Sequence, residues 1–437
     1  MSTIKVIGAG LAGVEAAWQA SRLGAKVKLY EMKPHRYSPA HTSPYMAELV
    51  CSNSLRSDSL ENAVGLLKAE MTKLSSLVME AAYACRVPAG GCLAVDREGF
   101  SKYITEKIRQ NENIEIISEE VTSLDENEIT VVATGPLTDG AFAEFLSGYL
   151  NTDSLSFYDA AAPIVEKDSI DFSTAFIASR WDKGEAAYIN CPMTREEYDV
   201  FWRELINAET AHLHGFEEED PKVFEACMPV EVMASRGHDT LLFGPMKPVG
   251  LTDPHTGREP YAVVQLRQDN SSATMYNIVG FQTHLTFGEQ KRVFGLIPAL
   301  KNASFLRYGV MHRNTFIDSP KLLDSFYRLK KAENIFFAGQ MTGVEGYLES
   351  ASSGLLAGLN AAKQALGMEL VSFDRSTAIG ALSNYVSDPS VVKFQPMNVN
   401  FGIIAPLDKK VKGGKSARNA EISRRALERI DEIIKEI

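Results

Sequence analysis

The hydrophobic pattern changes period along the chain, and the changes mark its elements. An apolar run from Ile4 to Ile7 predicts a strand, Ala12 to Arg22 has helical periodicity, and Ala25 to Tyr30 predicts a second strand ending on Glu31. A helical pattern follows from about Leu60 to Ala84, which Ser57 or Asp58 could cap, and another runs from the polar loop Pro88–Gly99 through Arg109. Asn113–Ile117 and Glu128–Ala133 read as strands. From about Phe157 to Asp318 the character shifts. Helical periodicity is confined there to about Thr194–His214, and strand-like runs at Ala186–Asn190, Thr240–Phe243, Ala262–Leu266 and Thr274–Val279 are punctuated by proline and glycine. Asn334–Ala338 then returns to a buried strand, followed by a helix of small residues, Ser350–Leu366.

This order predicts an α/β protein: a Rossmann-type domain that binds a dinucleotide, with an inserted, largely β (α+β) substrate domain. The first comprises residues 1–85, 110–160 and 325–437; the insertion comprises 86–109 and 161–324.

The chemistry starts at the first turn, Gly8-Ala9-Gly10-Leu11-Ala12-Gly13. Strand before and helix after make this more than an isolated glycine turn. Gly8 permits the tight turn, Gly10 lets backbone approach a pyrophosphate, and Gly13 lets the helix pack close to the sheet. The N-terminus of that helix favours phosphate, and Glu31, followed by Met32, is placed to accept from ribose hydroxyls. The loop alone leaves NAD and FAD open. Two later segments decide between them. Ala133-Thr134-Gly135 closes a strand as flavoproteins do beside the adenine ribose, and Gly339-Gln340 with Gly346-Tyr347 opens the small-residue helix as FAD proteins do over the flavin. Gln340 stands where most such proteins have Asp. No second GxGxxG follows, so the site reads as one FAD cradle that any nicotinamide donor visits transiently.

Composition narrows the classes. Of 437 residues 45% are hydrophobic and 23% charged, a globular balance, and nowhere do eighteen apolar residues run together to span a membrane. The chain opens without a basic, then apolar, leader, and its five cysteines are irregularly spaced without CxxC pairs, so a reducing cytoplasm is expected. The net charge is −11, yet Lys409 to Arg429 carries eight basic residues against Glu421 and Glu428, a local +6 that could steer a polyanion or be a solvated helix surface. Cys51 stands in a polar loop near Arg56, and Cys227 in a segment flanked by acids; Cys85, Cys92 and Cys191 read as small fillers.

Taken together, GAGLAG, ELVCSNSLRSDSLENAVGLLKAEM, GGCLAVDREGF, CMPVEVMASRG, LFGPMKPVGL, GFQTHLTFGEQ and IFFAGQMTGVEGYLESASSGLLAG resemble the TrmFO family of folate- and FAD-dependent tRNA uracil-5-methyltransferases, over essentially the whole chain. That family also carries Gln after the strand glycine. Its larger relatives of the GidA type share the FAD frame but add a long C-terminal extension. The resemblance implies that methylenetetrahydrofolate supplies a one-carbon unit, NAD(P)H reduces FAD, and a uridine of the tRNA T loop becomes 5-methyluridine. It also implies two working cysteines, matching Cys51 and Cys227. Cys227 is assigned as nucleophile toward uracil and Cys51 as its partner beside the flavin, with the exchanged assignment open. Tyr347 is a candidate to stack over the flavin or the target base, and Arg97, Arg267 and His284 could serve phosphate or folate carboxylates. Two other readings compete: a flavin oxidoreductase acting on a small molecule, and a tRNA-binding flavoprotein with a folding role.

Overall fold

The computed structural model describes residues 3–38, 40–151, 155–211, 228–391, 394–409 and 411–437. Its organising element is a six-stranded sheet in the order Arg328–Leu329, Ala332–Phe337, Thr130–Val132, Thr3–Ile7, Lys26–Tyr30, Ile114–Ile117. Five strands are parallel, and Arg328–Leu329 adds an antiparallel edge. Ile7 pairs with both Tyr30 and Val132, and Val132 pairs with Phe337, so the carboxyl ends of four strands finish level. In such sheets that edge is where ligands bind.

Helices Leu11–Arg22 and Tyr347–Ala365 pack tightly against each other beside this sheet. Their approach depends on glycine: a Cβ on Gly354 would lie 2.1 Å from the Ala12 carbonyl oxygen, and one on Gly358 would lie 2.3 Å from that of Ala16. The small-residue composition of the second helix is therefore a packing requirement.

A second body is built on a six-stranded antiparallel sheet, ordered Phe176–Ala178, Tyr188–Met193, Ala262–Gln268, Met275–Ile278, Ile164–Glu166, Phe305–Arg307. It has its own core, which includes Tyr198 and Phe201 of helix Arg195–Ile206 and Val293 and Phe294 of helix Phe287–Phe294. Thr194 and Glu197 form a reciprocal capping box at the start of the first of these. An antiparallel pair, Leu155–Ala160 with Met311–Phe316, carries the chain into and out of this body.

Several expectations change. The stretch Leu60–Ala84 is two helices, Ala63–Lys73 and Leu77–Ala84, and their N-caps are Asn62 and Ser76, not Ser57 or Asp58. The break at Ser75 (φ +57°) has a tertiary cause: buried Glu15 accepts from the Ser76 hydroxyl at 2.8 Å and the Val78 N–H at 3.0 Å, holding the second helix's N-terminus. Thr240–Phe243 is a 3-10 turn, and part of the loop Pro88–Gly99 is a strand, Cys92–Val95. Within 86–109, helix Arg97–Arg109 buries Phe100, Ile104 and Ile108 in the core of the parallel-sheet body.

The basic tail is partly engaged with the rest of the protein. Helix Gly414–Glu436 runs past Arg429 into Asp431, Glu432 and Glu436. Arg424 pairs with Glu421 and Glu428, Arg429 with Asp374 and Glu432, and Arg425 donates to the carbonyls of Ala405 and Pro406. Among the described residues no helix is long and apolar enough to cross a membrane.

Candidate active site

A cleft opens along the carboxyl edge of the parallel sheet. It runs from the first glycine turn to the loop bearing Cys51. Of the residues singled out by sequence, Gly8, Ala9, Gly10, Leu11, Ala12, Glu31, Met32, Thr134, Gly135, Gly339, Gln340, Cys51 and Tyr347 line it.

The three glycines of the turn do different work. Gly8 adopts φ +94°, and a Cβ there would strike the Ala133 carbonyl at 2.6 Å. Gly13 lies behind the cleft wall, where a Cβ would sit 1.8 Å from the Gly8 oxygen. Gly10 needs no such space for the protein's sake: its φ is −72°, and no atom lies within 4 Å of a Cβ built on it. The room at Gly10 faces the cleft, as a close-lying pyrophosphate requires. Helix Leu11–Arg22 begins there with no side-chain cap and no acid in its first turn, so its amides and dipole are available to an anion. These features fit a dinucleotide.

Glu31 is fixed at the end of its strand. One carboxylate oxygen accepts from the Ala9 N–H at 2.9 Å and the other from the Lys33 N–H at 3.0 Å. It thus ties the turn to the second strand while lining the cleft. Thr134 receives a hydrogen bond from the Thr138 hydroxyl at 2.7 Å. Gln340 donates to Glu345 at 2.6 Å, and the Gly339 N–H donates to Ser353 Oγ at 2.7 Å. Gly346 does not line the cleft; it is the N-cap of helix Tyr347–Ala365, with φ +113°.

At the far end the Tyr347 hydroxyl meets the Cys51 loop. Its oxygen accepts from the backbone N–H of Cys51 at 2.8 Å and of Ser52 at 3.2 Å, and it lies 3.0 Å from Cys51 Sγ. With two N–H groups on the phenolic oxygen, the hydroxyl proton is directed at sulfur. Burial, reinforced by the thiol beside it, pushes the Tyr347 pKa well above the ordinary tyrosine value, so the proton stays on oxygen. This role of the hydroxyl is separate from the ring stacking expected of Tyr347, whose side chain lines the cleft.

Arg97, Arg267 and His284 are occupied by internal partners. The Arg97 guanidinium is bidentate to Asp269 (3.1 and 2.9 Å) and donates to the carbonyls of Leu49 and Val50, just before Cys51. Arg267 donates to Ser52 Oγ at 2.7 Å and Asn53 Oδ1 at 3.1 Å. His284 Nδ1 lies 2.6 Å from Glu231. Sequence reasoning passed over the buried carboxylate of Glu349, which pairs with Arg56 and accepts from the Val399 N–H at 3.0 Å. The signal was present: an acid opening a helix of otherwise small, apolar residues needs a buried partner. Cys227 lies outside the described residues.

The comparisons with known proteins follow this geometry. The family model for glucose inhibited division protein A matches residues 3–369. The methylenetetrahydrofolate–tRNA-(uracil-5-)-methyltransferase TrmFO of Acetivibrio thermocellus is 62% identical over 99% of this chain and 98% of its own length. That of Lactobacillus acidophilus is 58% identical over 98% and 97%. A solved structure of Aquifex aeolicus GidA matches 99% of the chain and 76% of its own, with a TM-score of 0.70 at 18% identity, a likeness of fold.

Proposed function

Because the chain belongs to the TrmFO family, within the wider glucose inhibited division protein A family, we propose that it methylates carbon 5 of a tRNA uridine, with methylenetetrahydrofolate as one-carbon donor and FAD as cofactor. The target is a T-loop uridine and the reductant NAD(P)H, and the enzyme works in the cytoplasm. One observation carries the reading: a cleft with a dinucleotide turn at one end has a half-buried thiol and phenol, Cys51 and Tyr347, at the other.

Gly8, Ala9, Gly10, Leu11 and Ala12, with Gly13 behind them, would hold the pyrophosphate of FAD. Glu31 and Met32 would hold a ribose, Thr134 and Gly135 would flank the adenine side, and Gly339 and Gln340 the flavin side. Bound FAD supplies electrons that complete the reduction of the transferred carbon to a methyl group.

Carbon 5 of uracil is a poor nucleophile until a thiolate adds to carbon 6. We assign that addition to Cys227. Cys51 is the partner thiol in the cleft: Tyr347 holds a proton at Oη and presents it to Cys51 Sγ, an arrangement suited to moving a proton at that end. Arg97 and Arg267 keep the loop around Cys51 in place from behind.

Incubation of the purified protein with unmodified tRNA, methylenetetrahydrofolate and NADPH tests the activity. 5-Methyluridine in the T loop, dependent on the folate, is expected, and its absence overturns the reading. For the cysteines, Cys227→Ala should abolish a covalent complex with tRNA containing 5-fluorouridine and leave FAD bound. Loss of that complex in Cys51→Ala alone would exchange the two roles.

A further inference from the structure

Phe287, Tyr308 and Phe305 form one continuous stack on the second body. The Phe287 and Tyr308 rings are 4.7 Å apart and 17° from parallel, and those of Tyr308 and Phe305 are 5.3 Å apart and 3° from parallel. Phe305 packs against the core, Tyr308 is half-buried in the middle, and Phe287 is 56% exposed at the outer end. Single exposed aromatics need no explanation. An ordered stack of parallel rings ending at the surface is different, because it offers a flat face already fixed in orientation.

The stack stands beside the cleft. Ala161 lines the cleft, its N–H donates to the Val310 carbonyl at 2.7 Å, and Gly309 packs so closely that a Cβ would lie 2.6 Å from the Ala161 oxygen. Arg307, next to Tyr308 in the chain, is within electrostatic reach of Tyr347, Glu48, Asp269 and Arg97. Its side chain makes no ion pair or hydrogen bond among the described residues. A half-buried guanidinium beside Arg97 and without a partner is costly unless an anion joins it. Exposed Lys291, on the same helix as Phe287, adds positive charge.

We propose that the Phe287–Tyr308–Phe305 stack is a docking platform for an unpaired base of the RNA loop, with Arg307 receiving a backbone phosphate. This rests on the tRNA reading above and names where the RNA is held. A ring face with an adjacent cation matches a nucleotide, whose base stacks without sequence preference while its phosphate seeks charge. A protein partner would need a broader apolar surface. Here Phe287 is flanked by exposed Gly288 and by Glu289, which is engaged with Arg292.

The test uses the full-length, FAD-loaded protein and an unmodified T-arm hairpin with 2-aminopurine in its loop, with a fully paired duplex of equal length alongside. Phe287→Ala should keep its flavin and melting temperature but bind the hairpin roughly tenfold more weakly, about 1.4 kcal/mol, with duplex binding unchanged. Phe287→Trp should restore the affinity. Arg307→Gln should reduce the slope of log K against log salt by about 0.7. Hairpin binding by Phe287→Ala at the parental level, or an equal loss for hairpin and duplex, overturns the platform; an unchanged salt slope removes Arg307 from it. The methylation assay run on the same preparations separates the two readings. Loss of loop binding in Phe287→Ala beside a parental protein that makes no 5-methyluridine supports the platform and overturns the activity. Methylation with an unaltered KM for the RNA in Phe287→Ala overturns the platform alone.

Discussion

The Tyr347 hydroxyl and the Cys51 thiol, 296 positions apart in sequence, are 3.0 Å apart, and two backbone N–H groups on the phenolic oxygen leave its proton directed at sulfur. Tyr347→Phe keeps the ring and removes that proton. It should bind FAD as the parent does yet lose roughly tenfold or more in methylation kcat, in line with the ~1.5–3 kcal/mol of a hydrogen bond to a charged group. The rate of Cys51 alkylation against pH reads the same bond: its profile should move to higher pH in Tyr347→Phe. An unchanged profile would mean that the phenol does not act on the sulfur.

Gly10 and Gly13 should respond oppositely to alanine. Gly13→Ala forces a methyl group to 1.8 Å from the Gly8 oxygen, so it should destabilise the fold by about 1–3 kcal/mol, measured by thermal melting of the apoprotein. Gly10→Ala meets no protein atom and should melt like the parent while losing flavin affinity on the order of tenfold or more. Equal melting of the two variants would contradict the division of labour between them.

Arg56 and Glu349 join the loop after Cys51 to the helix that begins at Tyr347. Arg56→Ala would leave the fully buried Glu349 carboxylate without its cation. The cost should be roughly 2 kcal/mol, below the ~3–5 kcal/mol of a wholly buried pair because the Arg56 side chain is 39% exposed. Chemical denaturation followed by flavin fluorescence measures it, and Arg56→Ala with Glu349→Gln should recover part of the loss.

His238 bridges Asp239 (2.7 Å) and Asp199 (2.8 Å) and packs edge-on to Tyr198 and Trp202, pinning helix Arg195–Ile206. Its pKa is raised, first by the hydrogen bond to Asp239 and then by the one to Asp199. A raised folded-state value means the tie is complete below the ordinary histidine pKa, about 6.5, and is lost as pH rises through the higher folded value. Hydrogen exchange in this helix should therefore quicken above that value beyond the intrinsic pH trend, and His238→Ala should remove the excess.

The first turn, both flanking strands and the Ala133–Gly135 and Gly339–Tyr347 segments were legible because local periods of two and 3.6 residues, with glycine where backbone crowds, encode them. The break at Ser75 was not, because its cause is Glu15, sixty residues earlier. Thr240–Phe243 misled for another reason: a four-residue apolar run has no period that separates strand from turn. Arg97 looked like a ligand for anions because a cation in a polar loop invites that reading, and its true partner, Asp269, is 172 positions away. Gly346 was grouped with the cleft by adjacency, although it serves as the cap of the helix that presents Tyr347.

The Cys51 loop is fastened from both bodies: Tyr347, Arg97 and Val95 reach it from the parallel-sheet side, and Arg267, Gln268 and Asp269 from the other. Arg97 links Leu49 and Val50 to Asp269, Arg267 holds Ser52 and Asn53, and Asn53 donates to the carbonyls of Val95 and Gln268 at 2.9 Å each. Chain continuity thus assigns Cys51 to one module, while its fastenings are shared between the two. Excising the insertion to obtain a minimal flavoprotein would spare the glycine turn and forfeit the thiol's setting, so in this architecture the reactive end cannot be inherited, swapped or engineered separately from the body that grips it.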